Sequence, residues 1–174
     1  FLICDFRGGP SNSGIRSFRV EPDGATYKLV DDAQPIWTCL ATDAAFGPDG
    51  ALYISDWVDG WDGLGQARIY RLYDPAQHES AIVKEVQQLL SGDWTAIESD
   101  RLAELLGHVD RRVRLESQWE LASRKQTDRL IAVASDPAGE STMRLHAVWG
   151  LGQIARAVEP ESGDLTKVSK AIVG

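Results

Sequence analysis

The sequence predicts a β-then-α fold: the last one and a half blades of a β-propeller over residues 1–79, then an α-helical solenoid. Two internal repeats carry that expectation. Phe1-Leu2-Ile3-Cys4-Asp5-Phe6 followed by Ile15-Arg16-Ser17-Phe18-Arg19-Val20 returns as Leu52-Tyr53-Ile54-Ser55-Asp56-Trp57 followed by Arg68-Ile69-Tyr70-Arg71-Leu72. The spacing of about fifty residues is that of a four-stranded propeller blade. After Pro75 the apolar period changes from two to near 3.6, and Val113-Arg114-x-x-Ser117-x-x-x-Leu121 is matched thirty residues later by Met143-Arg144-x-x-Ala147-x-x-x-Leu151. A repeat of that length buries its apolar face only by stacking on neighbours, which predicts a solenoid.

The β elements follow from alternation and turn chemistry. Ile15–Val20 and Ala25–Val30 flank Glu21-Pro22-Asp23-Gly24, a hairpin in which Pro22 presets its own φ and Gly24 accepts a positive one. Trp37–Phe46 reads as one mainly apolar strand, and Gly47-Pro48-Asp49-Gly50 as a tight turn. Leu52–Asp56 and Arg68–Tyr73 read as two further strands. Phe1 falls inside a strand rather than at a start Met, so the expectation is a piece of a longer protein, cut at both ends.

Residues 80–97 read as a linker carrying one amphipathic helix, Ile82–Leu90, and residues 98–157 as two helical repeats beginning with Glu98–Leu106. Asp110 stands where a helix N-cap belongs. Val113, Leu121, Met143, Leu151 and Ile154 form the expected core, while Ser117, Ala147 and Gly150 are small where paired helices approach. Arg114 and Arg144 share one repeat position and read as a ladder to neighbouring carbonyls or acids. Residues 158–174 read as the start of a truncated further repeat, with Pro160 and Gly163 marking the break.

Composition bounds the function classes. The 174 residues are 43% hydrophobic and 25% charged, as in ordinary globular protein. The net charge is −8, and residues 1–79 carry 6 Lys/Arg against 12 Asp/Glu. Without a basic stripe, nucleic acid is not an expected partner. No apolar run reaches membrane-spanning length. Cys4 and Cys39 fall on expected strands and read as small buried thiols, with a bond between them left open. No CxxC or CxxCH occurs.

The run Ala41-Thr42-Asp43-Ala44-Ala45-Phe46-Gly47-Pro48-Asp49-Gly50-Ala51-Leu52-Tyr53-Ile54-Ser55-Asp56, with Gly65-Gln66-Ala67-Arg68-Ile69-Tyr70-Arg71-Leu72, resembles the closing blade of glucose/sorbosone dehydrogenase-like propellers. The helical pattern resembles the second helix of HEAT repeats. Together they resemble the large membrane-associated dehydrogenase, haem-binding proteins of planctomycetes, and the likeness covers most of the chain. It implies a periplasmic or extracytoplasmic parent oxidising a sugar or another alcohol. Pyrroloquinoline quinone, calcium and haem c would serve that parent, none of them held by this part, whose role would be to close the propeller and offer helical repeats to protein partners. The alternative is a non-catalytic scaffold binding protein or polysaccharide.

Candidate site residues lie in the β half. Asp43, near the end of an apolar strand, is the first candidate for a channel-mouth carboxylate. The loop Asp56-Trp57-Val58-Asp59-Gly60-Trp61-Asp62-Gly63 sets three carboxylates, Asp56, Asp59 and Asp62, at intervals of three. That pattern suits either calcium or a plain turn. Asp5 echoes Asp56, so both also read as strand-end caps. Asp59 and Asp62 have no acidic counterpart in the first copy, so with Trp57 and Trp61 they are candidates for a ligand rim or a packing surface. His78, His108 and His146 lie outside the repeated strands and are not expected to be catalytic bases.

Overall fold

A computed structural model describes residues 1–59, 61–62, 65–157 and 166. In chain order it contains β1 (Leu2–Asp5), β2 (Gly14–Asp23), β3 (Thr26–Trp37), β4 (Ala41–Phe46), β5 (Leu52–Asp56) and β6 (Arg68–Leu72). Then come α1 (Pro75–His78), α2 (Ala81–Ser91), α3 (Ser99–Leu105), α4 (Arg111–Ser123), α5 (Thr127–Ser135) and α6 (Ser141–Ala157). The chain divides into two compact units, Phe1–Lys84 and Glu85–Gly174. The expected truncated repeat at 158–174, Thr166 apart, lies outside the described residues, as do Gly60 and Gly63 of the acidic loop.

The expected order of sheet before helix holds, but the propeller-blade series with a HEAT-like solenoid does not. The strands form two three-stranded antiparallel sheets, β1-β2-β3 and β4-β5-β6, where a blade needs four strands. The break falls inside the segment expected as one strand. Thr38 takes φ 62°, a conformation that interrupts extended backbone. Trp37 therefore ends β3 opposite Gly14, and the next sheet starts afresh at Ala41. The six helices among the described residues run from four to seventeen residues. Helices α3 to α6 close on one shared core of Leu102, Leu106, Leu121, Leu130, Ala147, Leu151 and Ile154, and the regular stack of a repeat array is not formed.

Turns and bulges mark the register of each sheet. The β2–β3 hairpin turns at Gly24, which takes φ 61°, and its register shifts between Ile15 and Ser17 and again between Ser17 and Arg19. One extra residue of β3 falls in the Gln34–Pro35 pair and the other in the Asp31–Asp32 pair, and the Asp31 and Asp32 carboxylates meet Arg19 and Arg16. Gly14 is small because its strand is crowded: a Cβ there would stand 2.3 Å from the Ile36 carbonyl oxygen. The two sheets share a core of Ile15, Cys39, Ala41 and Ile54, with Cys4, Ile36, Ala44 and Leu52 packed against it. Both thiols are free, and burial pushes their pKa values up.

In the helical unit Asp110 caps α4 by accepting from the Arg112 amide at 2.8 Å. Ser117 is small because it donates its hydroxyl to the Leu102 carbonyl of α3. The repeated arginines serve backbone carbonyls: Arg114 donates to those of His108 and Val109, and Arg144 to that of Ala134. Arg124 does the same for the turn before α3, reaching the carbonyls of Trp94, Thr95 and Ile97. A guanidinium satisfies such a cluster because its donors fan out in one plane. No helix among the described residues is long and apolar enough to cross a membrane.

Candidate functional site

The functional geometry of the β unit begins at the end of β5. Asp56 is buried, and its Oδ1 accepts hydrogen bonds from the Leu40 amide at 2.9 Å and the Val58 amide at 2.8 Å. The Trp57 amide donates to the Leu40 carbonyl at 2.9 Å. These bonds fold the chain back sharply enough that Val58 takes φ 65°, a conformation that costs a β-branched residue about 1–2 kcal/mol. Backbone strain of this kind collects where a side chain is being aimed. Trp57, the residue before Val58, lines the pocket described next.

Trp57 contacts two other rings. Phe6 stacks on it at 5.7 Å between centroids, and Trp61 lies against it at 4.7 Å. Next to this aromatic group opens a pocket of about 550 Å³ lined by Thr42, Ser55, Asp56, Trp57, Ala67, Arg68 and Ile69. The volume is within the range of small-molecule sites. Thr42 is there because the β4–β5 register shifts between Ala41 and Asp43, a bulge that re-aims its side chain. Its hydroxyl lies 2.8 Å from that of Ser55. Arg68, opposite Asp56 in the β5–β6 register, donates to the Tyr70 hydroxyl at 3.3 Å, a bond that holds its pKa up.

The two copies of the internal echo use their charges differently. In the first, Asp5 is gripped by Arg7 and Arg16, whose hydrogen bonds lower its pKa to about 2. In the second, Asp56 turns to backbone amides instead, and Arg68 is left as a wall of the pocket. The difference is one of register: Arg16 stands opposite Ile3, diagonal to Asp5, whereas Arg68 stands directly opposite Asp56.

Of the residues singled out from the sequence, the structure brings Asp56 and Trp57 into this pocket, with Trp61 tilted against Trp57. Asp43 stands apart in an adjoining hollow of about 160 Å³, lined also by Tyr53, Ile54, Ser55 and Ile69, and its Oδ1 accepts from the Ala44 amide. Asp59 and Asp62 are exposed, joined by a backbone bond from the Asp62 amide to the Asp59 carbonyl. Among the described residues no group of three or more His, Cys, Asp and Glu side chains is placed to hold a metal ion. Asp56 commits its Oδ1 to two backbone amides, while Asp59 and Asp62 stand exposed on the loop. Thr42, Ser55 and Arg68 were missed as site residues. Only Arg68 left a sequence signal, as the echo of Arg16.

The histidines are engaged elsewhere. His78 Nδ1 lies 2.9 Å from the Asp49 carbonyl, and His108 Nδ1 accepts from the Asp110 amide. His146 is buried in the helical unit between Arg114 and Gln118. Asp49 itself is a structural acid: Arg71 and the Tyr53 hydroxyl converge on its Oδ2, and the Arg71 guanidinium holds its pKa down.

No family model, curated protein or solved structure matches this chain.

Proposed function

We propose that this chain is a binding module whose β unit takes up a carbohydrate ring in the Trp57–Arg68 pocket. One observation carries the reading: a tryptophan held against neighbouring rings lines an open pocket whose other surfaces offer two hydroxyls, a carboxylate and a guanidinium. A sugar ring has one apolar face of C–H groups and an equatorial rim of hydroxyls, so it needs both kinds of wall. Thr42 and Ser55 can donate or accept, Asp56 accepts and Arg68 donates.

Binding is the function favoured, because Thr42, Ser55, Asp56 and Arg68 are the kinds of group that hold sugar hydroxyls. The resemblance to dehydrogenase-like proteins extends the proposal to an extracytoplasmic setting, with quinone, calcium and haem belonging to other parts of a longer chain.

The test is a titration of the chain with neutral and uronate oligosaccharides, followed by amide chemical shifts. The expected result is saturable shifts at residues 55–57 and 67–69, lost in Trp57→Ala and weakened in Arg68→Ala, without product formation. Absence of shifts from every glycan, or binding unaffected by Trp57→Ala, overturns the reading.

A further inference from the structure

The helical unit carries a second surface, independent of the carbohydrate reading. The thirty-residue repeat includes two positions that the core does not use: Arg114-Leu115-x-x-x-Trp119-x-Leu121 returns as Arg144-Leu145-x-x-x-Trp149-x-Leu151. Leu121 and Leu151 are fully buried, as a core repeat requires. Trp119, Leu145 and Trp149 remain 47%, 51% and 53% exposed, and Leu115 is half-buried.

The two Leu–Trp pairs lie on the same side of the helix pair. Arg114 of α4 bonds His146 of α6, and one turn further on Gln118 bonds Gln153, so the helices run parallel along this seam. An α-helix turns 100° per residue. Trp119 is one step after the seam residue Gln118, and Trp149 one step before Gly150, whose Cβ position would meet Gln118. On parallel neighbours those opposite steps turn both indoles to one side. Ser117, one step before Gln118, turns the other way and bonds α3. The Leu–Trp side is therefore the side of the seam turned away from α3.

Charge says what fits there. Helix α6 contains Arg144 and Arg156 and no Asp or Glu, in a chain of net charge −8. Arg144 turns back to the Ala134 carbonyl of α5, whereas Arg156 is exposed and falls by helical periodicity on the Trp149 side. Leu145, Trp149 and Arg156 thus follow one another along one edge of the groove, facing Leu115 and Trp119. Indole pairs bounded by arginine are the residue types that anchor protein interfaces.

We propose that the α4–α6 groove docks an amphipathic helix of a partner protein, with the partner's apolar stripe on Trp119 and Trp149 and its acidic flank on Arg156. The geometry commits to an acidic partner because Arg156 is the exposed charge beside the apolar row of α6, while on α4 Glu120 is paired with Arg124 and Glu116 falls by helical periodicity away from the seam.

The experiment uses the full chain and three labelled amphipathic peptides of about sixteen residues, four helical turns, sharing one leucine stripe and differing in flanks of Glu, Ser or Lys. Fluorescence anisotropy should rank them Glu, then Ser, then Lys. The Trp119→Ala/Trp149→Ala double variant should weaken the Glu peptide at least about tenfold, and Arg156→Glu should abolish its advantage over the Ser peptide. Leu145→Glu, a change at an exposed position, repeats the test should the double variant melt early. No binding of the Glu peptide, equal binding of all three peptides, or binding indifferent to Trp119 and Trp149 overturns the proposal. So does sedimentation showing that these residues pair two copies of the chain, or flotation showing binding to phosphatidylglycerol vesicles, when the Glu peptide is not bound.

Discussion

Arg114 donates from its Nε to Nε2 of His146 at 3.1 Å, across the seam between α4 and α6. A guanidinium has no acceptor, so Nε2 must be the unprotonated nitrogen. The proton sits on Nδ1, which donates to Gln118 Oε1 at 2.8 Å. The His146 ring is edge-on to Trp149 at 5.0 Å. Protonating His146 would set an N–H against an N–H beside a positive charge, and burial together with Arg114 lowers its pKa below the usual 6.5.

The stability of the helical unit should accordingly depend on pH with a definite sign. A histidine whose folded pKa is depressed binds fewer protons folded than unfolded, so its contribution is complete above about 6.5 and shrinks as pH falls below that value. Urea unfolding at pH 7.5, 6.5 and 5.5 should show a loss of stability in the chain that is smaller in His146→Gln. Equal slopes in the two proteins would show that His146 is not the titrating group.

Asp5 should be the last carboxyl of its sheet to protonate. With hydrogen bonds from Arg7 and Arg16 its pKa stands at about 2 against an ordinary 3.8. The sign is opposite to that of His146: the contribution is present above about 3.8 and disappears as pH falls toward 2. Carboxyl carbon shifts followed by NMR should place Asp5 near 2 in the chain and visibly higher in Arg7→Gln, since Arg7 donates to both of its carboxylate oxygens.

Asp56 should matter to folding as an acceptor rather than as a charge. Asp56→Ala leaves the Leu40 and Val58 amides without their partner and should cost about 2–4 kcal/mol. Asp56→Asn keeps an oxygen in place and should cost less than about half as much. Denaturant midpoints at unchanged slope would check both, and equal losses in the two variants would contradict the assignment.

Gly14 should tolerate no side chain. The atom that a Cβ would meet is a backbone oxygen of the paired strand, which cannot swing aside as a side chain can. Gly14→Ala should cost at least about 3 kcal/mol, at the upper end of overpacking penalties. The contrasting change is Val58→Gly, which relieves a positive φ and should be neutral or stabilising by up to about 1 kcal/mol. Thermal or urea unfolding of the pair reads both.

What the sequence determined by itself was local. Alternation, Pro-Asp-Gly turns and the Asp110 cap place strands and helices because each depends on residues a few positions apart. The thirty-residue repeat fixed which faces of α4 and α6 are buried, since Val113, Leu121, Leu151 and Ile154 fall at helical spacing. The tertiary structure alone decided how strands were shared. Thr38 at positive φ gives Trp37 to the first sheet, so that two three-stranded sheets form where a four-stranded blade was expected. It likewise decided that Asp5 would hold arginines and its echo Asp56 would hold amides. Thr42, Ser55 and Arg68 could meet at Trp57 only after a bulge and a register had been chosen. Pairing register depends on contacts between distant segments, and a one-residue shift changes every partner while leaving the local pattern of apolar and polar residues untouched.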